Sequence, residues 1–173
     1  MDVGVTDERA AAADLSFDDW VRVRVPALMR FAYLVTGSQQ AAEDAVQSAL
    51  TRACERWSRV SRTDDPDAYV RRMVVNAHVS GWRRSGRREL SVAEVRDTVS
   101  ADPAERVATG DAVWRVCSTL PPQQRAAVVL RYYEDLEYAE IAAVLGVTQA
   151  TARSHVHRAL AAMRAQMEED GHV

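Results

Sequence analysis

The chain lacks lysine altogether, and all of its 22 basic residues are arginines. It also lacks any run of about eighteen apolar residues, the length that a membrane-spanning helix requires. Its first residues are acidic rather than basic, so they do not form the start of a secretory signal. These absences predict a cytoplasmic protein that does not contact a membrane.

Metal ligands and redox motifs are scarce as well. The two cysteines, Cys54 and Cys117, stand without a CxxC motif, and the four histidines show no metal-ligand spacing. No combination of nucleophile, base and orienting group indicates an active site. We therefore expect no metal, no cofactor and no enzymatic activity, and we expect both cysteines to be small core residues.

The charged residues are distributed unevenly. Residues 71–88 hold six arginines and no acidic residue, whereas residues 89–105 hold five acidic residues and a single arginine. The net charge of the chain is nevertheless −3, which is unusual for a protein that binds DNA unaided. On its own, the basic block is equally consistent with a solvated helix end.

Three helical patterns lead up to this charge boundary, and no segment supports a strand. The first covers about residues 17–35, with Pro26 marking a kink or a break, and the second opens at Ser38 as an N-cap. The third follows turn signals at residues 63–66 and continues to about Arg84. The second pattern has an apolar face of Ala42, Ala45, Val46, Ala49, Leu50, Ala53 and Trp57, and the third has one of Val70, Met73, Val74 and Ala77.

The sequence thus predicts an all-α fold of two small helical domains joined by a linker. The predicted boundaries are residues 14–89 for the first domain, 90–110 for an acidic linker and 111–167 for the second domain. The second domain should contain four helices, and its last two form the most specific pattern in the chain.

This pattern is the helix-turn-helix spacing of residues 135–164. Gly146 supplies the turn, and Thr148 is a suitable N-cap for the second helix of the pair. At about 100° per residue, one side of that second helix is apolar and the other is polar and basic. The predicted core faces are Ala139, Ile141, Ala142 and Leu145 on the first helix and Ala152, Val156, Ala159, Leu160 and Met163 on the second. The polar side and its flank hold Ala150, Thr151, Arg153, Ser154, His157 and Arg158.

The composition of the polar side suits the major groove of DNA. Small residues permit close approach of the backbone, hydroxyl groups bond phosphates or bases, and arginine can form two hydrogen bonds to guanine. Duplex DNA is therefore the first partner to expect. The alternative is a solvated helix in an ordinary helical bundle.

Six short motifs follow one another along the chain: AYLVTG at 32–37, AEDAVQ at 42–47, AYVRR at 68–72, VN at 75–76, LPPQQR at 120–125 and LEYAEIA at 136–142. Their order resembles that of RNA polymerase sigma factors of the extracytoplasmic-function type, including the sigma-E-like factors of actinobacteria. Such factors contain only the second and fourth sigma regions, joined by a linker. The similarity covers about residues 17–167; each motif is weak alone, whereas their order is specific.

The resemblance implies roles for particular residues. In such factors the last helix reads the minus-thirty-five promoter element, and the third N-terminal helix binds the melted minus-ten element, with an asparagine on a flipped base and arginines on phosphates. The helix with the AEDAVQ motif binds the clamp helices of the β′ subunit of core polymerase. The implied residues are Thr151, Arg153, Ser154, His157 and Arg158 for the minus-thirty-five element, Asn76, Arg71, Arg72, Arg83 and Arg84 for the minus-ten element, and Glu43, Asp44 and Gln47 for core polymerase.

Several interpretations stay open at the level of sequence. His157 departs from the aromatic or basic residue of the family, and Tyr69 and Trp82 are either stacking faces for bases or core residues, with core preferred for Tyr69. By resemblance, residues 62–67 form part of the pocket for the flipped base, and the linker lies near the active-site and RNA-exit channels. Whether an anti-sigma factor binds the chain is open. The main alternative function is a stand-alone helix-turn-helix regulator, which would leave residues 17–88 without a role.

Overall fold

A computed structural model describes residues 16–88 and 110–170 of the chain. Within these two ranges the protein contains eight α-helices and no strand, which confirms the all-α prediction. The predicted linker lies outside the described residues, except for Gly110, where the fifth helix begins. In chain order the helices are α1 (Phe17–Thr36), α2 (Gln39–Glu55), α3 (Trp57–Val60), α4 (Pro66–Arg88), α5 (Gly110–Thr119), α6 (Pro122–Tyr132), α7 (Tyr138–Leu145) and α8 (Gln149–Asp170). We call α1–α4 the N-terminal bundle and α5–α8 the C-terminal bundle.

The first helix is fixed at both ends by its sequence. Ser16 accepts a hydrogen bond from the backbone N–H of Asp19, and Gly37 ends the helix in the left-handed region at φ 72°. The sequence predicted either a kink or a break at Pro26. The helix continues through this residue, so the predicted break is wrong. The hydrogen bond that proline cannot donate would end on the carbonyl of Arg22, and both residues are exposed, so water can satisfy that carbonyl.

The second helix ends before Trp57, whose ring packs against aromatic rings of α1 at one end of the N-terminal bundle. The predicted apolar face of α2 is largely buried, but the helix ends at Glu55 and Trp57 begins α3. The assignment of Trp57 to α2 is therefore wrong, because the backbone leaves the helical conformation at Arg56. The Trp57 ring still packs against Phe17 and Trp20, with ring centroids 5.4 and 5.3 Å apart.

The fourth helix begins after the predicted turn and continues to Arg88, one turn further than predicted. Pro66 occupies its first position, and the Asp65 carboxylate accepts a hydrogen bond from the backbone N–H of Ala68 at 2.9 Å. The predicted apolar face of Val70, Met73, Val74 and Ala77 is buried.

The C-terminal bundle contains the predicted helix-turn-helix as α7 and α8. Gly146 turns the chain with φ 64°, and Thr148 caps α8 by accepting a hydrogen bond from a backbone N–H one turn on. Ala139 is exposed, so its predicted place on the core face of α7 is wrong. It lies about 200° around the helix from the buried Ile141. On α8, Ala152, Val156 and Ala159 are buried and Leu160 and Met163 pack against the core, as predicted.

The two bundles share one contiguous apolar core, since α1 packs against α6 and α4 packs against α7. Arg125 of α6 is buried at their boundary. Its guanidinium donates four hydrogen bonds of 2.7–3.0 Å to the carbonyls of Thr36, Cys117, Ser118 and Leu120. One cation thus satisfies carbonyl groups at the C-terminal ends of both α1 and α5, where the helix dipoles are negative.

Candidate nucleic-acid interface

The outer face of α8 is polar, basic and open to solvent. Thr151 is half-buried, and its hydroxyl lies 2.8 Å from that of Thr148, so it takes part in the helix cap. The other four residues predicted for the minus-thirty-five element are exposed, opposite the buried side of the helix: Arg153, Ser154, His157 and Arg158. The structure therefore brings these residues together on a surface that can enter a DNA groove.

Tyr138, at the start of α7, contacts the basic edge of this surface. The guanidinium carbons of Arg153 and Arg131 each lie 5.1 Å from the centroid of its ring. Arg131 is itself held by the Leu136 carbonyl at 2.8 Å. Tyr138 thus restrains an arginine predicted to read DNA. The sequence identified Tyr138 only as part of the LEYAEIA motif. Its contact with Arg153 was missed, because the two residues lie on different helices.

His155 lies on α8 between the outer face and the core. Within the described part of the chain, both of its ring nitrogens are buried without a hydrogen-bond partner. Burial lowers the pKa of His155, and the nearby Arg158 lowers it further. The His155 ring is therefore neutral at physiological pH and adds no charge to this face.

On α4, the residues predicted for the minus-ten element divide into two groups. Asn76 is exposed, and so is Arg84, whose Nε donates to the Ser80 carbonyl at 3.2 Å. Arg71 and Arg72 instead face the C-terminal bundle, and the side chain of Arg83 lies outside the described part of the chain. Tyr69, also on α4, is half-buried and packs against the core, as preferred from the sequence.

Arg71 joins α4 to the loop between α6 and α7 of the C-terminal bundle. Its Nε donates to a carboxylate oxygen of Glu134, and its guanidinium carbon lies 5.8 Å from the ring centroid of Tyr133. The Tyr133 ring in turn packs against Phe31 of α1, at 5.2 Å between centroids. Burial raises the pKa of Glu134, although the hydrogen bond from Arg71 opposes the increase.

The first turn of α4 is held by residues of α1. Both carboxylate oxygens of Asp67 are used: one accepts a hydrogen bond from Trp20 Nε1 at 2.9 Å, and the other lies 3.1 Å from Arg24 Nε. Trp20 and Arg24 were missed from the sequence, because Trp20 lies 47 positions from Asp67. They fix Asp67, the last residue of the segment 62–67 that the resemblance assigns to the pocket for the flipped base.

On α2, the residues predicted for core polymerase are exposed: Glu43, Asp44 and Gln47. Two of them line a shallow groove of about 630 Å³ between α1 and α2. The groove combines apolar and acidic side chains, and its lining residues are Phe17, Met29, Glu43, Val46, Gln47, Leu50, Thr51, Cys54 and Glu55. Cys54 is exposed, so its predicted place in the core is wrong, whereas Cys117 is buried as predicted. A mostly apolar groove of this kind can bind the apolar face of an amphipathic helix.

The described ranges, 16–88 and 110–170, hold no cluster of three or more potential metal ligands. Among the helices of the same ranges, none is both long and apolar enough to cross a membrane.

Comparison with known proteins matches both halves of the chain to one family. The family model for sigma-70 region 2 matches residues 20–88, and that for sigma-70 region 4 matches residues 110–163. An RNA polymerase sigma-E factor of Streptomyces avermitilis is 34% identical over 154 residues, which is 89% of this chain and 86% of the relative. The extracytoplasmic-function sigma factor SigE of Mycolicibacterium smegmatis is 35% identical over 154 residues, which is 85% of this chain and 60% of the relative.

Two solved structures share the fold. The sigma factor RpoE in complex with the anti-sigma factor NepR from Bartonella quintana has a TM-score of 0.63 at 22% identity and covers 88% of this chain and 96% of its own. CnrH in complex with the cytosolic domain of CnrY has a TM-score of 0.51 at 23% identity, with coverages of 94% and 96%. With the identity to the sigma-E factors and the matches to both sigma regions, the chain belongs to the sigma-70 family of RNA polymerase sigma factors and is of the extracytoplasmic-function type.

Proposed function

We propose that the chain binds core RNA polymerase and reads promoters with two surfaces, α8 on the minus-thirty-five element and α4 on the melted minus-ten element. The observation that carries this proposal is the outer face of α8, where Arg153, Ser154 and Arg158 are exposed on a helix whose opposite side is buried. Arginine in this position can read guanine, and its loss should cost about 1–3 kcal/mol and relax preference at one base pair. The proposed domains are residues 14–89 and 111–167, joined by the linker 90–110.

For the minus-ten element, the key residue is Asn76. It is exposed on α4, next to the buried Val74 and Val75, so its amide is open to a ligand and removing it should not disturb the core. An amide can both donate to and accept from a base edge, and capture of an extruded base offsets an unstacking cost of a few kcal/mol. Phosphate contacts are assigned to Arg71, Arg72, Arg83 and Arg84.

For core polymerase, the proposed contact is the acidic side of α2 and its groove. Glu43 and Gln47 line the groove, and Asp44 is exposed on the same helix. The clamp helices of the β′ subunit are the proposed occupant, and such a partner places the protein in the cytoplasm. Control by an anti-sigma factor, the kind of partner that the RpoE structure contains, belongs to the same proposal. The match to region 2 gives the N-terminal half a role, so the stand-alone regulator is not favoured.

The minus-ten role is tested by permanganate footprinting of melted thymines with core polymerase and either the wild-type chain or Asn76→Ala. We expect weaker melting with the variant on a paired promoter, and partial recovery on a template already mismatched across the minus-ten element. Asp44→Arg is the matched test of the other surface: it should weaken binding to core polymerase and leave promoter preference unchanged. Equal melting by wild type and Asn76→Ala on the paired promoter would remove Asn76 from the mechanism.

A further inference from the structure

The contact of Arg71 joins an arginine of the proposed DNA surface to the loop between α6 and α7. Two consecutive residues of that loop, Tyr133 and Glu134, approach it, and we call this pair the acidic corner. The carboxylate of Glu134 is 1% exposed, and the Arg71 side chain is 23% exposed. The Nε of the arginine therefore donates to the chain itself, and the side chain is largely covered.

The acidic corner offers the same two chemical groups as a nucleotide. Glu134 supplies an anionic oxygen to the guanidinium Nε, as a phosphate does, and Tyr133 supplies an aromatic ring 5.8 Å from the guanidinium carbon, as a base does. In single-stranded DNA complexes arginines use both groups. We propose that the acidic corner is an internal nucleotide mimic, which occupies the Arg71 surface in the free chain and which single-stranded DNA displaces. The inference rests on the proposed function, because it takes Arg71 as a phosphate contact.

The contact is imperfect in ways that make it displaceable. Arg72 has its Nε buried without a hydrogen-bond partner among the described residues, and its Nη2 lies 4.0 Å from the nearest carboxylate oxygen of Glu140. Such an unsatisfied buried N–H destabilises the closed arrangement. The carboxylate of Glu134 is also desolvated, which is why burial raises its pKa. A phosphate group has enough oxygens to satisfy both arginines, so DNA can gain a contact that the acidic corner leaves unmade.

The consequence is that the corner and the DNA strand cannot occupy Arg71 together. The apparent affinity of the free chain for single-stranded DNA is then its intrinsic affinity multiplied by the fraction of chains in which the corner has moved away. A change that favours this open fraction raises the affinity without adding any contact to DNA.

The test uses the full-length chain, a fluorescein-labelled oligo(dT) strand and two measurements: the anisotropy of the strand and the radius of gyration from small-angle X-ray scattering. Glu134→Lys places two like charges together at Arg71, and Glu169→Lys is the matched control on the exposed end of α8. We expect Glu134→Lys to enlarge the radius and to raise the affinity at least about tenfold over the control, because loss of one charged hydrogen bond shifts the equilibrium by at least this factor. The double variant R71E/E134R exchanges the two charges. Its radius of gyration should equal that of the wild type, and its affinity for oligo(dT) should stay low.

A further variant separates the inference from the function on which it rests. In the Glu134→Lys background, Arg71→Gln should lower oligo(dT) affinity if Arg71 contacts phosphate. If Glu134→Lys opens the chain but this second change has no effect, the DNA role of Arg71 is wrong, and the corner is a structural contact rather than a mimic. If Glu134→Lys matches Glu169→Lys in both radius and affinity while Arg71→Gln lowers affinity, the DNA role stands and the mimic is refuted.

Discussion

Replacement of Arg125 should destabilise the whole chain, because this buried side chain forms hydrogen bonds to both bundles. Its Nη1 donates to the Thr36 carbonyl at the end of α1, and its other bonds hold carbonyls at the end of α5. Arg125→Leu keeps an apolar stem in the core but removes the guanidinium. It would remove a donor from all four carbonyls at a buried position, and among the described residues only that of Cys117 would keep a second donor, the backbone N–H of Leu120 at 3.2 Å.

The expected loss follows from two opposing contributions. Each hydrogen bond to a charged group contributes about 1.5–3 kcal/mol, so the four bonds together give on the order of 6–12 kcal/mol. Burying a guanidinium that no carboxylate of the described residues balances costs several kcal/mol, and burial accordingly lowers the pKa of Arg125. The net loss for Arg125→Leu should therefore be about 3–5 kcal/mol in the free energy of unfolding.

Urea unfolding followed by circular dichroism measures this loss. Arg30→Leu, at an exposed position of α1, is the matched control and should change the free energy of unfolding by about 0.5 kcal/mol or less. Arg125→Lys should lie between the two, since one ammonium group cannot reach carbonyls at the ends of two helices. A loss below about 1 kcal/mol for Arg125→Leu would refute the argument that this residue joins the bundles.

Three other changes have defined outcomes. Gly37→Ala should lower the free energy of unfolding in urea by about 1–3 kcal/mol, because the new Cβ would lie 2.1 Å from Arg125 Nη1 at a φ of 72°. Burial, and to a smaller extent the charge of Arg125, lower the pKa of His78 in the folded chain. As the pH falls below about 6.5, the unfolded chain therefore binds a proton at His78 more readily than the folded chain does. The free energy of unfolding should therefore be highest above about pH 6.5 and should decrease as the pH is lowered toward the folded pKa of His78. His78→Gln should make this decrease smaller. Tyr138→Leu should weaken promoter binding by the assembled polymerase about two- to fivefold, in line with a cation–π contact of Arg153 worth about 0.5–1 kcal/mol, whereas Tyr138→Phe should not.

Local signals in the sequence predicted the elements of the fold and the exposed faces. The Gly146 turn, the Thr148 cap and the polar side of α8 each follow from residues within two helical turns of one another. The position of Ala139 could have been predicted as well, because the same angular rule separates it from Ile141 by about 200°. The break in the helix at Arg56 could not, since the apolar spacing of α2 continues unchanged up to Trp57.

Contacts between distant parts of the chain were beyond sequence reasoning. The hydrogen bond from Arg125 to Thr36 joins residues 89 positions apart, and the one from Arg71 to Glu134 joins residues 63 positions apart. In the sequence, Arg71 belongs to a basic block and Glu134 to a turn, and no pattern indicates that the two residues are paired. The placement of Arg71 and Arg72 against the C-terminal bundle is therefore a result of the structure alone.

The central claim, that this sigma factor gives core polymerase its promoter specificity, is tested most directly by run-off transcription on genomic fragments. Purified core polymerase is assayed alone, with the wild-type chain and with Asp44→Arg. The account predicts discrete transcripts that depend on the wild-type chain and that are lost or strongly reduced with Asp44→Arg at limiting concentration. Transcripts of the same start sites and yields from core polymerase with and without the chain would contradict it.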